Sequence, residues 1–122
     1  MTALLLTALF AAAQSTEEPW RTVRTDSFRL HYPADTEEWA LYTAERLETI
    51  RAMVAPEIGW QPTQVVDIVV MDPFARANGF AIPFLNGPRM AVFPTAPEPS
   101  SGIGHYRSWA EDLVIHEDAH LV

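Results

Sequence analysis

The run Val65-Val66-Asp67-Ile68-Val69-Val70-Met71 constrains the fold more than any other stretch of the chain. Its nearly continuous apolar character suits a strand in the middle of a sheet, not one with a face in water. Upstream, Phe28, Leu30 and Tyr32 alternate with Arg29 and His31, the period of a half-buried strand, and Pro33 ends the pattern. Between the two runs, Ala40, Ala44, Leu47, Ile50 and Val54 recur every three or four residues and so share one helix face. Asp35, with Glu38 three residues on, predicts a capped start, and Pro56 with Gly59 predicts the stop. Glu37, Glu38, Glu45, Glu48 and Arg51 fall elsewhere around this helix, which reads as core packing and not as chemistry. Strand, helix and strand in this order predict a βαβ unit with parallel strands, hence an α/β (α+β) fold.

The 122 residues suffice for one small domain. Composition shifts after residue 71: six of the ten prolines lie between Pro73 and Pro99, with turn dipeptides at Asn78-Gly79 and Asn86-Gly87. Arg89-Met90-Ala91-Val92-Phe93 is a short strand between Pro88 and Pro94, and proline on both sides predicts an antiparallel edge position. The net charge of −8 gives no electrostatic footprint for nucleic acid or an anionic membrane. With no cysteine, disulfides and thiolate metal sites are excluded. Residues 3–13 are apolar but too short to span a membrane, and Ala11-x-Ala13 is an acceptable cleavage site. Although no Lys or Arg precedes the run, residues 1–13 read as a signal peptide and 14–19 as a polar linker. The domain would then be exported, to the periplasm or the extracellular space, and occupy residues 20–122.

Near the end of the chain stands His116-Glu117-Asp118-Ala119-His120, an H-E-x-x-H pattern. At about 100° per helical residue, His120 projects about 40° from His116 and Glu117 about 100° from it. Two imidazoles one turn apart with a carboxylate on their flank suit two zinc ligands and a general base acting on a metal-activated water. Ser108 with Glu111 predicts a capping box at the start of this helix, and Leu113, Val114, Ile115, Leu121 and Val122 make it apolar on several sides.

A catalytic zinc takes three protein ligands, and the pattern supplies two. Within the chain, His105, in the loop before the helix, His31, on the first strand, and the carboxylates are candidates for the third. His31 reads better as a solvent-facing strand histidine. Asp112 reads first as a carboxylate favoured by the helix dipole, with orientation of a ligand as the alternative. Asp118 projects about 200° from His116, between Val114 and Val122. If that side is buried, Asp118 needs a donor, because an unpaired buried carboxylate costs several kcal/mol. The expected edge strand could pair with an extended peptide through Ala91, Val92 and Phe93, with Asn78-Gly79-Phe80-Ala81 as a plain turn or a rim of the same cleft.

Together, Trp20-Arg21-Thr22-Val23, Phe28-Arg29-Leu30-His31-Tyr32-Pro33, Ala77-Asn78-Gly79-Phe80-Ala81 and Leu113-Val114-Ile115-His116-Glu117 resemble the N-terminal half of a bacterial zinc metallopeptidase domain of the peptidase MA-like type, within the gluzincins. The resemblance covers most of residues 20–122. It implies a zincin-like upper subdomain with a mixed sheet and an active-site helix, zinc on His116 and His120, and Glu117 as the base. It also implies a glutamate as third ligand on a helix beyond Val122, in a missing C-terminal half, and often a β-propeller thereafter. The chain departs from the pattern at Asp118-Ala119, where relatives usually carry a bulky residue and then a small hydroxyl one. A zinc-dependent peptidase, present as an N-terminal portion inactive alone, is the expected function, with a peptide or protein as substrate. The alternative is an exported module that binds zinc or a partner without catalysis; a plain exported domain without metal is the third. Tight zinc binding would require a third ligand within the chain.

Overall fold

A computed structural model describes residues 18–83 and 86–122. The expected signal peptide, residues 1–13, and residues 14–17 of the linker lie outside the described residues. Among the described residues five strands form one mixed sheet: β1 (Trp20–Arg24), β2 (Phe28–Pro33), β3 (Val66–Val70), β4 (Gly79–Ile82) and β5 (Arg89–Val92), in the spatial order β1-β2-β3-β5-β4. The two outer pairs, β1/β2 and β4/β5, are antiparallel, and the inner pairs β2/β3 and β3/β5 are parallel. The expected βαβ unit is therefore present, and β3 holds the expected central place.

Phe28, Leu30 and Tyr32 of β2, Val66, Ile68 and Val70 of β3, and Met90 and Val92 of β5 point to one face and are buried. Helices α1 (Glu37–Ala44) and α2 (Leu47–Ile58) cover that face with Ala40, Ala44, Leu47, Ile50 and Val54, the five positions that the sequence spacing puts on one stripe. Helix α3 (Trp109–Ala119) closes the core with Leu113 and Val114, joined by Leu121 just beyond it.

The expected single helix is broken in two and its start differs from the prediction, whereas Gly59 does end it. A 3-10 turn, Ala34–Thr36, precedes α1, whose start carries no side-chain cap, so Asp35 does not cap it. The break has a local cause. Thr43 Oγ1 donates back to the Trp39 carbonyl at 2.8 Å, and the Arg46 amide bonds the Thr43 carbonyl at 3.0 Å, tightening the chain there. The Tyr42 carbonyl, which a continuous helix would pair with the Arg46 amide, instead accepts from Arg46 Nη1 at 2.7 Å. At the other end α2 runs through Pro56 and stops at Gly59, whose φ of 88° lets its amide reach the Ala55 carbonyl at 2.8 Å. Proline is tolerated in this last turn because the carbonyl it leaves unpaired belongs to exposed Ala52.

The second correction concerns β5. It is not an edge: β3 pairs with one side and β4 with the other. Pro88 and Pro94 flank the paired residues without interrupting either ladder, since Pro88 contributes its carbonyl, to the Asp67 amide at 3.3 Å, and no amide is needed there. Ala91, Val92 and Phe93 are buried, so they offer no free backbone to a peptide. The outer strand next to α3 is β4, in the segment expected to be a plain turn or a rim of the cleft.

Candidate metal centre

Helix α3 carries the H-E-x-x-H residues. Ser108 caps it, its side chain accepting from the Glu111 amide at 3.4 Å. The reciprocal half of the expected capping box is absent, because the Glu111 carboxylate pairs with Arg46 Nε at 2.7 Å. That ion pair docks the first turn of α3 on the α1–α2 junction. Trp109 is held by its indole N–H, which donates to the Phe93 carbonyl at 2.9 Å.

One turn from the end, His116 and His120 are exposed and lean together: their Nε2 atoms stand 3.3 Å apart and their rings meet edge to face. Glu117 lies beside them but is 95% buried, being 5% exposed, under the start of β4. Burial pushes its carboxyl up from the ordinary glutamate range, an effect that His116 and His120 partly offset. Gly79 makes this overlap possible: a β-carbon there would stand 3.0 Å from Glu117 Oε1.

Asp118 is fully buried, and it has its donor. Arg51 of α2, itself 4% exposed, grips it with Nη2 to Oδ1 at 2.6 Å and Nε to Oδ2 at 3.0 Å. The Arg51 guanidinium also lies over the Phe28 ring, 4.6 Å from its centre. Arg51 is thus a core residue tied to the motif, contrary to the expectation that placed it off the packed face. The signal was available, since Arg51 follows Leu47 by four residues and precedes Val54 by three, on the same stripe.

Two hollows meet over Gly79, His116 and Glu117. One, of about 500 Å³, lies between the start of β4, the loop around His105 and the first turns of α3, with Asp112 on its wall. The other, of about 420 Å³, extends along Phe80, Ala81 and Pro83 to His120. His105 thus shares a hollow with His116. His31 lies elsewhere, on the sheet face away from the helices, bonded to Thr22 at 2.9 Å and to Asp67 at 2.9 Å. Among the described residues no three His, Asp or Glu side chains form a group able to hold a metal ion. No helix among them is long and apolar enough to cross a membrane.

Comparison with family models, with curated proteins and with solved structures finds no match to this chain. The functional reading therefore rests on the side chains just described.

Proposed function

We propose that the chain is part of a zinc-dependent peptidase in which His116 and His120 are metal ligands and Glu117 is the general base. The observation that carries this reading is the 3.3 Å between the two Nε2 atoms. Two nitrogens each about 2.0–2.1 Å from a tetrahedral zinc stand about 3.3–3.4 Å apart, so the spacing of the pair matches the ion. A neutral imidazole pair is also the right donor set in a chain with no cysteine. When bound, zinc supplies Lewis acidity, polarising a peptide carbonyl and acidifying water. Two histidines alone would hold the ion weakly, and a third protein ligand is needed to complete such a site.

The protein's own groups do the rest. Glu117 sits at the floor of the groove, where burial favours proton uptake; it takes a proton from the attacking water and passes it to the leaving amine. The free side of β4 offers backbone groups to an extended peptide, which would lie across His116 and Glu117. In this reading β4 takes the role that the sequence suggested for Ala91, Val92 and Phe93. Export, suggested by residues 1–13, would place the activity outside the cytoplasm.

Calorimetric titration tests the metal site. Zinc should bind one-to-one and weakly, binding should vanish in His116→Ala with His120→Ala, and Glu117→Gln should retain it. Equal binding by the doubly substituted chain would overturn the assignment. The chain alone should show little or no peptide hydrolysis, and hydrolysis that does occur and persists in Glu117→Gln would remove the base from the mechanism.

A further inference from the structure

We propose that the hollow beside Asp112 is a subsite for a cationic side chain, arginine or lysine, of a peptide lying in the groove. The proposal rests on the peptidase reading for one thing only, that the occupant is a peptide.

Its walls are apolar and unfilled. Ile103 and Tyr106 are 61% and 36% exposed although they border a concavity. Tyr106 and Trp109 meet edge to face, with ring centres 6.0 Å apart, so two aromatic surfaces line it at an angle. Leu113 closes the wall toward β4. Two carboxylates line this largely apolar setting, beside the imidazoles of His105 and His116. Asp112 is an exposed carboxylate to which no side chain among the described residues is bonded, and buried Glu117 also lines the hollow. Among the described residues, no Lys or Arg lines the hollow.

Aromatic faces together with an uncompensated carboxylate are the chemistry that recognises a cation on an apolar stem. The rings attract the charge, the carboxylate pairs with it, and the aliphatic walls cover the methylenes. The same groups disfavour an acidic side chain, which would lose water and face like charge. A volume of about 500 Å³ lies within the range of small-ligand sites and admits an extended arginine. The net charge of −8 adds a field that draws cationic segments toward the molecule.

The test uses metal-free protein and blocked tripeptides with arginine, leucine or glutamate in the middle. Binding is read from the Trp109 indole resonance by NMR, assigned with Trp109→Phe, at about pH 8, above the ordinary histidine range. The arginine peptide should bind about fivefold tighter than the leucine one, the scale of an exposed ion pair with a cation–π contact, and the glutamate peptide most weakly. Asp112→Asn should remove the difference between arginine and leucine, and Asp112→Glu should keep it. Equal binding of arginine and leucine peptides, a preference that survives Asp112→Asn, or no movement of the Trp109 resonance with any peptide would each overturn the subsite. Because zinc is absent, failure of the metal assignment shows in the zinc titration and leaves this readout intact.

Discussion

Gly79 has no side chain because others fill the space one would need. A β-carbon there would lie 2.7 Å from Leu113 Cδ1, 3.0 Å from Glu117 Oε1 and 3.2 Å from the Ala91 carbonyl oxygen. The last is backbone of the neighbouring strand and the first is a core side chain, so neither yields freely. Replacing glycine by alanine ordinarily stabilises a compatible site by about 0.4–1 kcal/mol, through the unfolded chain. Here overpacking, about 1–3 kcal/mol, outweighs that gain. Gly79→Ala should therefore lower the urea midpoint, whereas a midpoint at or above the parent's would show that β4 is free to move off α3. The variant also bears on function, because its methyl group presses on the carboxylate proposed as the base.

At the scale of elements, the Arg51–Asp118 pair joins α2 to α3 from within the core and fixes how α3 is turned about its axis. Desolvating two charges is costly, and the bidentate geometry offsets that cost only while both partners are present. Arg51→Met should thus cost about 3–5 kcal/mol by stranding a buried carboxylate, while Arg51→Met with Asp118→Leu should restore most of the loss. If the double variant is no more stable than the single one in denaturant, the pair contributes more than mutual compensation. The same elements show what the sequence disclosed. The stripe from Ala40 to Val54 and the convergence of His116 with His120 follow from spacing along one element, and the parallel pairing of β2 with β3 follows from the order strand, helix, strand, so all could be read from the sequence. The break at Thr43 and Arg46 could not, since it depends on side-chain bonds to backbone that periodicity does not encode. The place of β5 depended on whether Pro88 and Pro94 fell inside the ladders, and they fall just outside. Gly79 against Glu117 and Trp109 against Phe93 are contacts between distant segments, visible only once the sheet order is known.

At the scale of the whole molecule, acid acts in two opposed ways. Protonating exposed carboxylates relieves the self-repulsion of a chain with net charge −8, a gain that salt screens. Protonating carboxylates that the fold uses does the reverse. Burial pushes Glu48 up, but bonds from Thr25 Oγ1 and from the Ser27 amide and hydroxyl outweigh it and hold its carboxyl below the ordinary value of 4.5. Asp67, with burial opposed by His31 and Arg29, is likewise held below 3.8. For both groups the unfolded chain binds the proton more readily than the folded one, so stability rises with pH between the folded and unfolded values. Their contribution is complete above those ordinary values and is lost as pH falls through the depressed ones. At about 0.15 M salt the repulsion term is weak over distances beyond about 8 Å, and the linked carboxylates should dominate the acid limb. Glu48 ties the β1–β2 turn to α2, so its protonation loosens the hairpin from the helix layer. Denaturant titrations at a series of acid pH values should show Glu48→Gln less stable than the parent at neutral pH and less sensitive to acid below 4.5, the ordinary value of the missing carboxyl. A variant with an acid limb as steep as the parent's would remove Glu48 from that account and leave Asp67 to be tested by Asp67→Asn.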